Sequence, residues 1–270
     1  MATIGRTEEI RLFLNALNAQ TYRNFELIII DQNLDDRLTY ILSEFVEKFT
    51  IIHIKNSVKG LSLNRNIGIK SASGDIFAFP DDDCIYNDPE TLSSVVQFFE
   101  QTDYHFLSYN TIDFNTNLSV VNLLKYNNEI KWDNVFKTSI SFTIFIKGVK
   151  KDLLFFDEKL GVGSVFGSGE ESDLIFNLLY NGYNGYYNAN RFIYHPSNVQ
   201  KLTSFKGYNY GLGFGALFKK NIFYRFKYLD FFLFVMFLIK PIIRMILLKD
   251  FGFHWNTLKG RFLGFIKYIK

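Results

Sequence analysis

The 270 residues suffice for one large domain, or one domain with an appendage. A single cysteine, Cys84, excludes an internal disulfide framework and fits a reducing compartment. The net charge of +3 hides an asymmetry, because residues 199–270 carry 13 Lys and Arg against 2 Asp and Glu, while the rest carries 17 against 25.

An acidic body with a basic tail directs the tail toward a polyanion, either nucleic acid or an anionic membrane face. Aromatic residues make up 18% of the chain, nearly all Phe and Tyr, which is more than a core alone requires and points to a surface meeting lipid or sugar. No basic segment followed by an apolar run opens the chain, so no secretory signal is expected.

Along the chain, apolar strand-like runs alternate with helical patterns. Thr7–Gln20 reads as a helix with Thr7 as N-cap and Glu8 and Glu9 in the first turn. Phe25–Ile30 is a continuous apolar run ending at Asp31, the signature of a strand buried on both faces. A helix over 35–49, a strand over 50–54, a helix over 61–72 and a strand over 75–79 follow. A further helix over 89–99 opens on Asp88-Pro89, an N-cap and first-position pair. A strand is expected at 104–109, a polar Asn-rich loop over 110–133, a strand at 138–146, a mobile glycine-rich loop over 156–169, a helix over 170–180 and a last strand over 186–194. Strands separated by helices imply right-handed crossovers and a mostly parallel sheet. Thr3–Arg6 resembles the loop after a first strand, yet almost no strand precedes it. In a parallel sheet that strand is central, so the natural chain is expected to begin several residues upstream.

The chemistry concentrates where the third of these strands ends, in Phe77-Ala78-Phe79-Pro80-Asp81-Asp82-Asp83-Cys84. Three adjacent carboxylates repel one another, and a divalent cation bridging diphosphate oxygens would compensate. The alternative is a solvated acidic turn, but ligands of open α/β sheets bind at carboxyl ends of strands, where this cluster falls. Asp31 offers an acceptor to a base imide, or is a turn residue. In Lys59-Gly60-Leu61-Ser62-Leu63-Asn64-Arg65-Asn66, Arg65 supplies a guanidinium fork for phosphate or carboxylate. His195, before Pro196, is a third metal ligand, a diphosphate contact or a structural histidine. Cys84 reads as a small packed residue.

Thr3 to Arg6, the strand ending in Asp31, Gly60-Leu61-Ser62 with Arg65-Asn66, Gly74-Asp75-Ile76, Asp81-Asp82-Asp83 and Gly169-Glu170-Glu171-Ser172-Asp173-Leu174 follow one another in an order that resembles family 2 glycosyltransferases, over roughly residues 1–196. The resemblance implies a GT-A fold, an α/β architecture with a Rossmann-like central sheet flanked by helices. It also implies a nucleotide-sugar donor, Mg²⁺ or Mn²⁺, and inversion at the anomeric carbon. By the same resemblance Thr3, Arg6, Asp31, Arg65, Asp81 and Asp82 line the nucleotide pocket. Asp83 binds the metal with Asp81 near it, and Glu171 stands at the catalytic base, with Glu170 and Asp173 as alternates; His195 joins the metal set as a candidate from its own position, not from the resemblance. The sequence departs from the family where Asp31 is followed by Gln32-Asn33 rather than a second acid, and where Glu replaces the usual Asp base.

Residues 208–220 hold Gly211, Gly213 and Gly215 before Lys219-Lys220, but no strand precedes them, so they are no phosphate-binding fingerprint. The apolar run 231–239 is interrupted by Lys240-Pro241 and resumes over 242–248 with Arg244 inside. The pieces are too short to span a membrane singly and too charged to span it together. An amphipathic segment lying in the interface fits better than a packed helical pair or a dimer contact. The long aliphatic runs argue against nucleic acid.

The expectation is a catalytic domain over 1–198 and a basic, aromatic, helical membrane-associating extension over 199–270. The enzyme is expected at the cytoplasmic face of the cell membrane, moving a sugar from a UDP- or dTDP-sugar to a lipid-linked acceptor in surface polysaccharide assembly, with self-association open. The alternatives are a sugar-phosphate nucleotidyltransferase, whose Gly-rich N-terminal loop is absent here, and an inactive sugar-nucleotide or membrane-binding protein.

Overall fold

In the computed structural model, residues 1–114, 116–197, 203–248 and 251–269 are described. Three parallel strands, β1 (Ala2–Thr3), β2 (Glu26–Asp31) and β3 (Thr50–Lys55), pair in the order β1-β2-β3. Between Glu26 and Asp31 β2 is apolar because both its faces are covered, and Leu27 to Ile30 are all buried. Helix α1 (Glu8–Asn18) supplies one cover, burying Ile10, Phe13, Leu14 and Leu17, the i, i+3, i+4, i+7 stripe of an amphipathic helix. Thr7 sits at its N-cap position, but its side chain makes no capping hydrogen bond.

A second, mixed sheet is built from β4 (Ile76–Ala78), β5 (Phe106–Ile112), β6 (Asn128–Ile130), β7 (Ile144–Lys147) and β8 (Gly185–Tyr194), in the order β4-β7-β5-β8-β6. β5 and β8 are parallel, β7 runs antiparallel to β4 and β5, and β6 runs antiparallel to β8. Helices α3 (Leu61–Ser71), α4 (Thr91–Gln101) and α5 (Glu170–Tyr180) lie near the expected bounds. The helix expected over 35–49 contracts to α2 (Thr39–Ser43), because Asp35 and Arg37 close a local turn in which both the Arg37 amide and guanidinium donate to the Asp35 carboxylate. The strand expected at 138–146 gives its first half to a 3₁₀ turn at Ser141–Thr143. The Asn-rich stretch, expected as loop, contains the end of β5 and all of β6.

β1 was expected at the centre of one sheet; in its three-stranded sheet it occupies an edge. A cleft of about 570 Å³ lies between the Glu26–Ile28 part of β2 and β4, lined also by Phe13, Leu17, Tyr86 and Phe145. On this side, among the described residues, the backbone of β2 below Ile30 is met only by the Met1 amine, which donates to the Ile28 carbonyl at 2.8 Å. β4 pairs with β7 on its other side.

The chain divides into two compact units, Met1–Lys59 with Leu63–Phe155 and Asn177–Asn198, and Gly60–Ser62 with Phe156–Phe176 and Val199–Lys270. The second unit holds α6 (Ser204–Lys219), a π-helical turn at Lys220–Tyr224, α7 (Asp230–Leu248) and α8 (Phe251–Lys267). The glycines of the tail form a helix-packing seam. A Cβ at Gly215 would lie 2.0 Å from the Arg261 carbonyl oxygen, and one at Gly264 would lie 2.0 Å from that of Leu212, so α6 and α8 approach backbone to backbone. Residues 156–169 take no helix or strand and are closed by a bridge between Leu160 and Phe166.

Lys240-Pro241 interrupts the apolar run but not the helix, and α7 runs through Pro241. A proline inside a helix leaves the carbonyl four residues earlier without its amide partner. Here that carbonyl belongs to Phe237, and the Arg261 guanidinium of α8 donates to it. Among the described residues no helix is long and apolar enough to cross a membrane.

The cleft generates a stability prediction. A five-residue Val/Ser segment added before Met1 should pair along Glu26–Ile28, cover the apolar lining and raise Tm, by roughly 2–4 °C for each kcal/mol gained in a domain of this size. An unchanged melting curve would show that the two strand edges do not accept a strand.

Candidate active site and metal centre

Within the first unit, three chain segments converge on the acidic triplet that follows β4. The Arg65 guanidinium, projected from α3, donates to Asp81 at 2.7 Å. The Thr3 hydroxyl donates to Asp82 at 2.7 Å, and Arg6 donates to Asp83 at 2.9 Å while its Nε lies 3.8 Å from Asp82. His195, at the end of β8, places Nε2 3.0 Å from Asp83. All of these residues were expected from the sequence, and the structure brings them together. The repulsion among the carboxylates is therefore met by two guanidiniums, a hydroxyl and an imidazole.

The imidazole is held on three sides. Its ring stacks on Phe142 at 4.5 Å between centroids, its Nδ1 is 2.8 Å from the Pro196 carbonyl, and its backbone amide donates to Ile112. Asp113, buried after β5, accepts the Ser197 amide and pins the turn that follows. Sequence reasoning missed Asp113 and Phe142, whose only signal was proximity to strand ends.

Burial sets the titration of this cluster, and the partners then modify it. Burial raises the Asp82 pKa, and the neighbouring carboxylate of Asp83 adds to that. Burial would also raise Asp83, but His195 and Arg6 overcome it and hold Asp83 below the usual carboxylate value. Burial would lower His195, but the Asp83 carboxylate raises it above the ordinary imidazole value.

Asp81, Asp83 and His195 each offer a ligand atom, and these atoms lie within 4.8 Å of one another. Two carboxylate oxygens and one imidazole nitrogen suit Mn²⁺ well and Mg²⁺ acceptably, so the residues present fit a divalent cation.

Asp31, at the end of β2, is fully enclosed. It accepts from the Asn33 amide at 2.9 Å, the Asn33 side chain at 2.7 Å and Lys55 at 3.3 Å, and it lies 3.0 Å from His53 Nε2. These partners hold its pKa down against the upward pull of burial. His53 and Lys55 were missed. They sit two apart on β3, Lys55 directly opposite Asp31, and that period-2 polar pair was the legible signal.

In the second unit, the acids heading α5 separate by environment. Glu170 and Asp173 are buried and Glu171 is half-buried. Asp173 is committed to Lys220 at 2.6 Å and Arg225 at 2.7 Å, and Lys220 also binds Asp157 at 2.5 Å. Burial would raise Asp157, but Lys220 and the Tyr268 hydroxyl hold it below the usual range. The Gly60-Leu61-Ser62 motif braces the loop beside Glu170. The Leu61 amide donates to Val162, the Ser62 hydroxyl donates to Leu160 at 2.7 Å, and a Cβ at Gly161 would meet the Glu170 carboxylate at 3.1 Å.

The sequence model for glycosyl transferase family 2 matches residues 1–154. The chain belongs to glycosyl transferase family 2. Among curated relatives, the amylovoran biosynthesis glycosyltransferase AmsB of Erwinia amylovora is 32% identical over 116 residues, covering 40% of this chain and 38% of that protein. The chain covers about a third or less of the length of the first curated relatives it matches. Among solved structures, residues 1–349 of S. aureus TarS superpose with a TM-score of 0.71 at 17% identity, covering 97% of this chain and 79% of that one. The mannosyltransferase PcManGT of Pyrobaculum calidifontis, in complex with GDP-Man and Mn²⁺, gives 0.62 at 15% identity, covering 82% and 62%. These likenesses show the fold, and it is the GT-A fold expected from the motif order.

The site geometry has two measurable consequences. An imidazole must be unprotonated to ligate, so metal binding displaces the His195 proton below its raised pKa. Calorimetric Mn²⁺ affinity should therefore fall by up to tenfold per pH unit on acidification through that pKa and level off above it. A pH-independent affinity would remove His195 from the ligand set. Asp173→Asn leaves Lys220 and Arg225 short of a buried counter-charge and should cost about 3–5 kcal/mol of stability in denaturant titration, whereas Glu171→Gln should cost under about 1 kcal/mol.

Proposed function

We propose that this family 2 chain is an inverting glycosyltransferase that moves a sugar from a UDP- or dTDP-sugar to a lipid-linked saccharide acceptor in surface polysaccharide assembly, at the inner face of the cell membrane. The observation that carries the reading is the Asp81, Asp83 and His195 donor set, braced by Arg6 and Arg65, at the end of a strand in a family 2 fold.

In this reading Asp81, Asp83 and His195 hold Mg²⁺ or Mn²⁺, which supplies neutralisation of the charge that develops on the diphosphate leaving group. Thr3, Arg6 and Arg65 fix the three carboxylates in place. Asp31, kept ionised by its partners, fixes His53 and Lys55 at the end of β2, the proposed nucleotide side of the site. Glu171, the most accessible acid of the α5 cluster, takes the proton of the acceptor hydroxyl. The acceptor oxygen bonds to the anomeric carbon from the face opposite the departing diphosphate, which leaves with the electron pair of the broken C–O bond. Glu170 and Asp173 then serve as positioning residues for α5.

Membrane contact rests on α7. Phe231, Phe232, Met236, Ile243, Ile246 and Leu247 are all exposed on a helix that also carries Arg244. So many solvent-facing apolar side chains on one helix fit an interfacial segment.

The deciding experiment is release of nucleoside diphosphate from a panel of nucleotide sugars, with and without Mn²⁺, in detergent. One donor should be turned over with metal. Asp83→Ala should abolish turnover and weaken metal binding, while Glu171→Gln should lower kcat by about 10²–10⁴ with nucleotide affinity kept. Nucleotide binding without turnover of any donor would favour an inactive binding protein.

A further inference from the structure

Arg261 of α8 has an unusual environment. One guanidinium nitrogen donates to the Phe237 carbonyl that Pro241 leaves open. The guanidinium carbon sits 5.3 Å from the centroid of Phe214 and 5.5 Å from that of Phe237. Its Nε is buried and has no hydrogen-bond partner. No carboxylate pairs with it among the described residues, and the cation Arg244, two turns beyond Phe237 along the same face of α7, acts on it electrostatically. Burial, and then Arg244, lower the Arg261 pKa to about 10.

A half-buried guanidinium with no counter-ion among the described residues, in the field of a second guanidinium, is a costly arrangement. An anion that accepts from both would relieve it, and the planar forks of two arginines match the oxygens of a phosphate. The surroundings select the kind of phosphate. Met236, Ile239, Ile243 and Ile246 of α7 and Phe262 of α8 are exposed apolar side chains, which a free phosphate would leave in water and acyl chains would cover.

We propose that Arg244 and Arg261 form a binding site for the phosphate of an anionic membrane phospholipid, with α7 and Phe262 against its acyl chains. This site rests on the membrane contact argued above and not on sugar transfer. It also gives Arg261 two tasks, since the residue that keeps α7 continuous through Pro241 is the one whose unpaired charge attracts the lipid phosphate. Lipid binding and the integrity of α7 are thereby coupled.

The test is co-sedimentation of the full chain with phosphatidylcholine vesicles, with and without phosphatidylglycerol. The wild type should partition onto vesicles and prefer those with phosphatidylglycerol. Arg244 is exposed, so Arg244→Gln should fold normally and lose that preference, with binding weakened about tenfold or more. Lys267→Gln, an exposed base on α8, should weaken it less than about fivefold, as general surface attraction predicts. Arg261→Gln should lose the preference and also lower helical content by circular dichroism. Equal losses from Arg244→Gln and Lys267→Gln would overturn the site while leaving membrane contact intact. No binding of the wild type to either vesicle would overturn both. Displacement from vesicles by inorganic phosphate at matched ionic strength would overturn the assignment to lipid.

Discussion

Three carboxylates in a row shortly after β4 set the main constraint on this protein. Asp81, Asp82 and Asp83 cannot all stay ionised at close range unless positive charge and hydrogen-bond donors are brought to them. Thr3, Arg6, Arg65 and His195 do so, from segments as far apart in sequence as the first residues and the end of the last strand. The fold of the first unit can be read as the means of delivering those four residues. β1 ends at Thr3, α3 carries Arg65 and His195 directly follows β8. The same repulsion that makes the cluster costly when empty makes it receptive to a divalent cation.

The second unit solves a different electrostatic problem. Asp157, Asp173, Lys220 and Arg225 form a buried network that ties the head of α5 to the segment after α6. Buried pairs of this kind add little net stability over an apolar core, but they define geometry sharply, since breaking one leaves an unpaired charge. The basic, apolar stretch from 203 onward is therefore structurally continuous with the acids of α5. Residues 156–176 belong to the same unit as that stretch, although composition alone separates them from it.

Within this second unit, two sequence features that look like flaws turn out to be compensated. Glycines that resemble a phosphate loop are the seam along which α6 and α8 touch backbone to backbone. Pro241, which should end a helix, is tolerated because Arg261 takes over the orphaned Phe237 carbonyl. Both compensations come from α8, and neither partner lies near its counterpart in sequence.

Periodicity and motif order sufficed for the α/β class, for most helices and strands, and for the identity of the carboxylates, because these depend on local backbone chemistry and on charge that must be compensated somewhere. α5, the apolar run of β2 and the Asp81–Asp83 cluster were all legible in this way. The short α2, the 3₁₀ turn at Ser141–Thr143 and β6 were not, because a local turn such as Asp35–Arg37 or a pairing with a distant strand outweighs weak propensity. Only the tertiary structure could assign roles within the acid cluster of α5. Asp173 and Glu171 are equivalent as letters, and one is spent on Lys220 and Arg225 while the other stays half-exposed. The same holds for His53 and Lys55 around Asp31, and for Arg261 at Pro241. The sequence by itself determined which charges the protein must manage, and the tertiary structure decided which partner manages each one, because burial and proximity depend on residues brought together from distant parts of the chain.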